Sequence, residues 1–214
     1  ASFQRLQGDF DTGLVKNSYT NLWFHGEYRN KTRDRKWDIE ALGSFYLGGY
    51  NAGDYHAFIS LKRLISQRIG YLQVGFENVN RKPSFVFNNT SSFYFDQPRD
   101  FNKENTLHFF GGLERPQQQL KVTGDYYLLS NYSYFRDYFK AEQVSALFNV
   151  LRVTVEKDFK IGKRGWHWRT WLVFQQKAGN AAVNLPLLFT RNQLAYDGNF
   201  GFKNLTISTG VELR

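Results

Sequence analysis

The final twelve residues, 203–214, constrain the fold most. Leu205, Ile207, Thr209, Val211 and Leu213 share one parity; Asn204, Thr206, Ser208, Gly210, Glu212 and Arg214 share the other. Strict period-two alternation marks a strand with one apolar face and one wet face. The pattern recurs upstream. Leu22, Phe24, Gly26 and Tyr28 alternate with Trp23, His25, Glu27 and Arg29, and Ile39, Ala41, Gly43 and Phe45 alternate with Asp38, Glu40 and Ser44. No segment competes as a long helix.

The aromatic content sharpens this. The chain carries 21 Phe, 13 Tyr and 5 Trp, yet its mean hydropathy is -0.53. A soluble core of that many rings would come with long aliphatic runs. Here the rings alternate with charged and amide residues, so each strand separates an apolar medium from water. A transmembrane barrel, with lipid outside and a polar lumen, requires this pattern. No apolar run approaches the roughly 18 residues of a membrane helix. The nearest, 178–190, is broken by Asn180, Asn184 and Pro186. The absence of cysteine excludes disulfides, thiolate metal sites and cysteine nucleophiles. A net charge of +9 suits anionic lipid, nucleic acid or anionic solutes and does not choose among them.

In chain order the alternation predicts about ten antiparallel strands, near 20–29, 37–47, 56–64, 69–79, 104–114, 120–128, 144–155, 166–175, 187–196 and 203–214. Residues 1–15 carry no decisive pattern. In 144–155 the apolar parity changes between Val150 and Leu151, which predicts a β-bulge near 149–151. Hairpin connectivity alternates the connections between two rims. Short turns at 30–36, 66–67, 115–118, 157–165 and 197–202 fall on one; longer connections at 48–54, 80–103, 130–140 and 177–186 fall on the other. Outer-membrane barrels have short periplasmic turns and long external loops. The expectation is one barrel domain or barrel segment, 1–214, with 80–103 a long extracellular loop. Lys31, Arg33, Arg35, Lys36, Arg68, Lys160, Lys163 and Arg164 gather near the short-turn rim, where cations that meet external lipopolysaccharide would not be expected.

Particular residues carry a family resemblance. Lys82-Pro83-Ser84-Phe85, Asn88-Asn89, Phe93-Tyr94-Phe95 and Phe101-Asn102-Lys103-Glu104 follow one another between 81 and 105. Tyr126-Tyr127-Leu128-Leu129 with Asn131-Tyr132 comes next, then Trp166 to Phe174 with Asn184-Leu185-Pro186. In this order the motifs resemble the large "putative porin" family of Bacteroidota outer membranes, over Leu61 to Arg214. The resemblance implies an outer-membrane β-barrel with no catalytic residues to carry over. Family members are much longer, and this chain ends in Glu212-Leu213-Arg214 where bacterial barrels usually end in an aromatic residue. The resemblance therefore implies an internal piece or the C-terminal part of a longer barrel.

Four basic residues on polar strand faces, Lys62, Lys121, Arg152 and Arg169, are candidate lumen-lining cations that would favour anions. The competing reading pairs them with Asp38, Glu40, Glu77, Asp125 and Glu156 across the lumen. Trp37, Trp166 and Trp168 are candidates for an aromatic girdle at the membrane boundary. His25, His56, His108 and His167 lie on separate strands without a metal-ligand spacing. Asp38, Glu40 and Ser44 share a strand face, but no nucleophile motif accompanies them, so no enzyme, metal or cofactor is expected. Nucleic acid is not expected as a partner, because the cations are scattered between strands and form no continuous groove. The sequence thus predicts an outer-membrane porin of a Gram-negative bacterium, passing small hydrophilic solutes with an anion bias. Its expected partners are outer-membrane lipid or lipopolysaccharide and other outer-membrane proteins. Two alternatives stand beside it: an accessory barrel subunit of a secretion or uptake complex, and a soluble β-sandwich lectin.

Overall fold

The structure, a computed structural model, describes residues 2–10, 15–34, 36–87, 101–137, 140–162, 165–199 and 201–214. Its strands are β1 (Ser2–Phe10), β2 (Val15–Lys31), β3 (Trp37–Gly49), β4 (Tyr55–Ser66), β5 (Gly70–Arg81), β6 (Glu104–Arg115) and β7 (Leu120–Ser130). They continue as β8 (Tyr132–Arg136), β9 (Lys140–Val144), β10 (Phe148–Ile161), β11 (Trp166–Ala178), β12 (Leu188–Gly198) and β13 (Ile207–Leu213). Eleven of them form one antiparallel sheet, each beside its neighbour in sequence except that β7 pairs with β10. The hairpin β8–β9 stands apart as a two-stranded sheet. The large sheet is not closed: β1 and β13 are its edges.

Register turns the parity of the sequence into two continuous surfaces. Tyr28, Ala41, Ile59, Phe76, Phe109, Tyr126 and Leu151 are successive cross-strand partners from β2 to β10. A neighbouring row runs Ile39, Leu61, Val74, Gly111, Gly124, Val153 and Phe174. On the opposite face Arg29, Glu40, Ser60, Gly75, Phe110, Asp125, Arg152 and Gln175 form a row of the other parity. One face is therefore aliphatic and aromatic, the other charged and amide-bearing.

The apolar face does not bury itself. Among the described residues the buried hydrophobic side chains are Ala141, Phe148, Ala181 and Ala195, none of them from the apolar rows. Phe24, Ile59, Val74 and Phe109 remain 46–54% exposed. An apolar surface of this extent marks contact with a membrane or partner. A polar second face and strands of 11–14 residues in the body of the sheet fit the wall of a barrel in lipid.

The structure departs from the sequence pattern in three places. β1 and the start of β2 give strand to 2–10 and 15–19, so the sheet has eleven strands in place of about ten. The bulge expected near 149–151 is absent: β10 pairs without interruption with both β7 and β11. Val144 belongs to β9, residues 145–147 separate β9 from β10, and Phe148 and Val150 lie on the polar face. Bulges occur instead at Leu22/Trp23 and Leu64/Ser66. Finally, 203–206 lie in the connection after β12 and β13 starts at Ile207. Most of the loop at 80–103, residues 88–100, lies outside the described residues, as do Arg35, Lys163 and Arg164.

Turn chemistry holds the hairpins in register. Gly70 opens β5 at φ +95, and a Cβ there would stand 2.1 Å from the Glu114 carbonyl oxygen. Only glycine relieves both constraints. In the β2–β3 turn the Thr32 hydroxyl donates to Asp34 Oδ1 at 2.6 Å and accepts from the Trp37 amide at 3.1 Å, while the Lys36 amide donates to the same Asp34 oxygen. The hydroxyl first, then the amide, hold the exposed Asp34 carboxyl below its ordinary value of 3.8. A lowered folded value stabilises this turn above pH 3.8 and loses that contribution as pH falls through the folded value. Thr32→Ala should move the Asp34 titration back up toward 3.8, read by carboxyl NMR in micelles.

Candidate functional site: the polar face

The charged face is a lattice of ion pairs across the strands. Its centre spans β4 to β10. Glu77 lies between two histidines, with Oε1 2.7 Å from His56 Nε2 and Oε2 3.2 Å from His108 Nδ1. The other ring nitrogen of His108 is 2.9 Å from Asp125 Oδ1. Asp125 also accepts from Arg152 Nε at 3.2 Å, and Arg152 Nη2 donates to the Tyr127 hydroxyl at 3.0 Å. The His108 ring stacks on Tyr127 with centroids 4.1 Å apart. Asp125 is buried, so its two partners offset the cost of removing its charge from water.

Two further groups flank this centre. Lys62 Nζ reaches Glu114 at 2.5 Å, and Lys121 lies 3.8 Å from Glu156. Toward the C-terminal edge Arg169 donates to Asp158 at 3.1 Å and to Asp197 at 3.0 Å. His167 Nδ1 is 3.2 Å from Asp158, and Ser208 donates to Asp197. Arg191 pairs with Glu212 over the face of Trp171. Arg29–Glu40 and Lys31–Asp38 complete the lattice on β2 and β3.

All four basic residues singled out from the sequence lie on this face, and each has a carboxylate partner. Lys121 pairs with Glu156 and Arg152 with Asp125, two carboxylates the sequence offered; Lys62 and Arg169 pair with Glu114, Asp158 and Asp197, which it did not. Trp37, Trp166 and Trp168 lie on the apolar face at the short-turn end of the sheet. Trp166 and Trp168 are 45% and 43% exposed, and the Arg63 guanidinium covers Trp37 at 4.3 Å. Trp23 and Trp171 lie on the polar face, Trp23 stacked on Tyr46. Of the histidines, His56 and His108 converge on one carboxylate. Among the described residues no group of three or more metal-ligating side chains is arranged to hold a metal ion.

Sequence reading missed the aromatic residues of the polar face. Phe58 and Phe110 stack with centroids 5.8 Å apart, and His108 packs beside Phe110 at 5.1 Å. Their signal was available: each breaks the alternation as an apolar run, Ala57-Phe58-Ile59 and Phe109-Phe110.

An antiparallel sheet with one exposed apolar face and one salt-bridged face has the make-up of an outer-membrane β-barrel wall. The match to known families places it further. The family described as "Putative porin" matches residues 4–214, and the chain belongs to that family. The match takes in β1 from residue 4 and all of β2 and β3, which the motif resemblance did not reach. Neither a curated protein nor a solved structure matches the chain.

Proposed function

We propose that the polar face lines a water-filled lumen through which small hydrophilic solutes diffuse passively across a Gram-negative outer membrane. The observation that carries this is the continuous charged face opposite an exposed apolar one, in a member of a porin family. Lys62, Lys121, Arg152 and Arg169 then line the lumen as paired charges, so the anion bias is weak. It comes from the chain's overall excess of cations, +9, and not from these four alone. Trp37, Trp166 and Trp168 form part of an aromatic girdle, set against lipid or lipopolysaccharide head groups. The longer connections face outward and the short turns face the periplasm. This role needs no catalytic group or cofactor.

Reconstitution into planar bilayers tests the reading. Stable ion-permeable steps are expected, with a reversal potential in a KCl gradient slightly displaced toward the chloride side. Lys121→Glu with Arg169→Glu should move it toward the cation side by several millivolts. Folded protein that never conducts would overturn the pore.

One observation favours a second reading, an accessory role in a larger assembly. On the apolar face Lys157, Thr170 and Asn192 form a polar row across β10, β11 and β12. Thr170 and Trp168 donate to Asn192 Oδ1, and Lys157 donates to the Gln118 carbonyl. Because these groups mostly satisfy one another, the row ranks behind the pore. Cross-linking from position 192 to another outer-membrane protein would reverse that order.

A further inference from the structure

The polar face contains a concavity of about 390 Å³ whose chemistry differs from the lattice around it. Its floor is low because Gly112, Thr123 and Thr154 are successive partners on β6, β7 and β10, the first without a side chain and the others with short ones. One wall is the row Phe110, Asp125 and Arg152; the other holds Lys121 and Glu156, with Gln73 at the end. The volume lies at the lower end of the roughly 300–1,000 Å³ of small-molecule sites.

Phe110 is fixed before any ligand arrives. Its ring lies across Gly75 on β5, where a Cβ would stand 2.1 Å from the ring. Phe58 and His108 hold it from two sides. The basin thus has one aromatic ring in its wall amid hydroxyl, amide and charged groups. Its charges are paired within it, Arg152 with Asp125 and Lys121 with Glu156, so it presents no net charge. A ligand matching this pattern is uncharged, dense in hydroxyls and flat and apolar on one side. That is a pyranose, whose C–H face packs on an aromatic ring while its hydroxyls bond to Thr123, Thr154, Gln73 and the paired charges.

We propose that this basin is a saccharide subsite of the lumen, with Phe110 as its stacking platform. The proposal deepens the porin reading and rests on the polar face being open to water. Calorimetry of the purified full-length protein in detergent, titrated with maltose, tests it separately from conductance. Maltose should bind; Phe110→Ala should weaken binding at least tenfold, and Phe110→Tyr should retain it. Thr154→Phe, which fills the floor without altering the ring, should abolish it. Retarded gel mobility on heating establishes that each variant is folded. Absence of maltose binding by folded protein that conducts ions would overturn the subsite and leave the pore standing. Maltose binding without conductance would support the subsite and overturn the pore. Tighter binding of glutamate or arginine than of maltose would overturn the ligand class, and binding unaffected by Phe110→Ala and Thr154→Phe would overturn the location.

Discussion

Ile59→Arg should lower the unfolding free energy in phospholipid vesicles by about 2–4 kcal/mol, the cost of an arginine near the bilayer midplane on a barrel's lipid face. Ile59 is 52% exposed near the middle of β4, between Ala41 and Phe76 on the adjacent strands. In the proposed barrel lipid covers it, and a guanidinium there would give up water and gain no partner. Gln73→Arg, one strand away on the other face, supplies the contrast. Its side chain enters the polar lattice, and the change should stay within about 0.5 kcal/mol. Urea unfolding followed by tryptophan fluorescence measures both. Equal costs at the two sites would show that lipid does not contact the apolar face.

Asp125→Ala should cost about 2–3 kcal/mol in the same assay. The change strips His108 and Arg152 of their shared carboxylate and leaves His108 with Glu77 and Arg152 with the Tyr127 hydroxyl. Breaking a fully buried pair costs about 3–5 kcal/mol. The value here is lower because the Arg152 side chain is 42% exposed and water recovers part of the loss. The double variant Asp125→Ala with Arg152→Ala should recover about 1 kcal/mol, since it removes the stranded cation. A double variant no more stable than the single one would place the main cost at His108.

Both predictions draw on what the sequence does and does not disclose. Parity was legible wherever the two faces meet different media, and so the strands from β3 to β7, β11 and β12 lie close to their expected positions, while β13 starts at Ile207 and not at residue 203. β1 was not legible because Phe3 shares its parity with Arg5, Gln7 and Asp9, which breaks the contrast between faces. The apparent slip in 144–155 had another cause. Phe148 and Val150 are apolar residues on the polar face of β10, Phe148 buried beside Tyr132, so the parity changes there without an extra residue, while Val144 belongs to a different strand, β9. For the polar face, parity alone placed Lys62, Lys121, Arg152 and Arg169 together. It could not assign their carboxylates, since a partner on the next strand depends on register, and register depends on turn geometry such as the irregularity at Leu64/Ser66. The convergence of His56 and His108 on Glu77 was hidden for the same reason.

The open sheet has an arithmetic consequence. Its strands alternate in direction, and there are eleven of them, so the two edges, β1 and β13, run the same way. If these edges met each other the seam would be parallel, the one such junction in an otherwise antiparallel cylinder. An all-antiparallel cylinder instead needs an odd number of intervening strands, whatever supplies them. Cross-links between cysteines placed on the two edges would tell a direct seam from an occupied one.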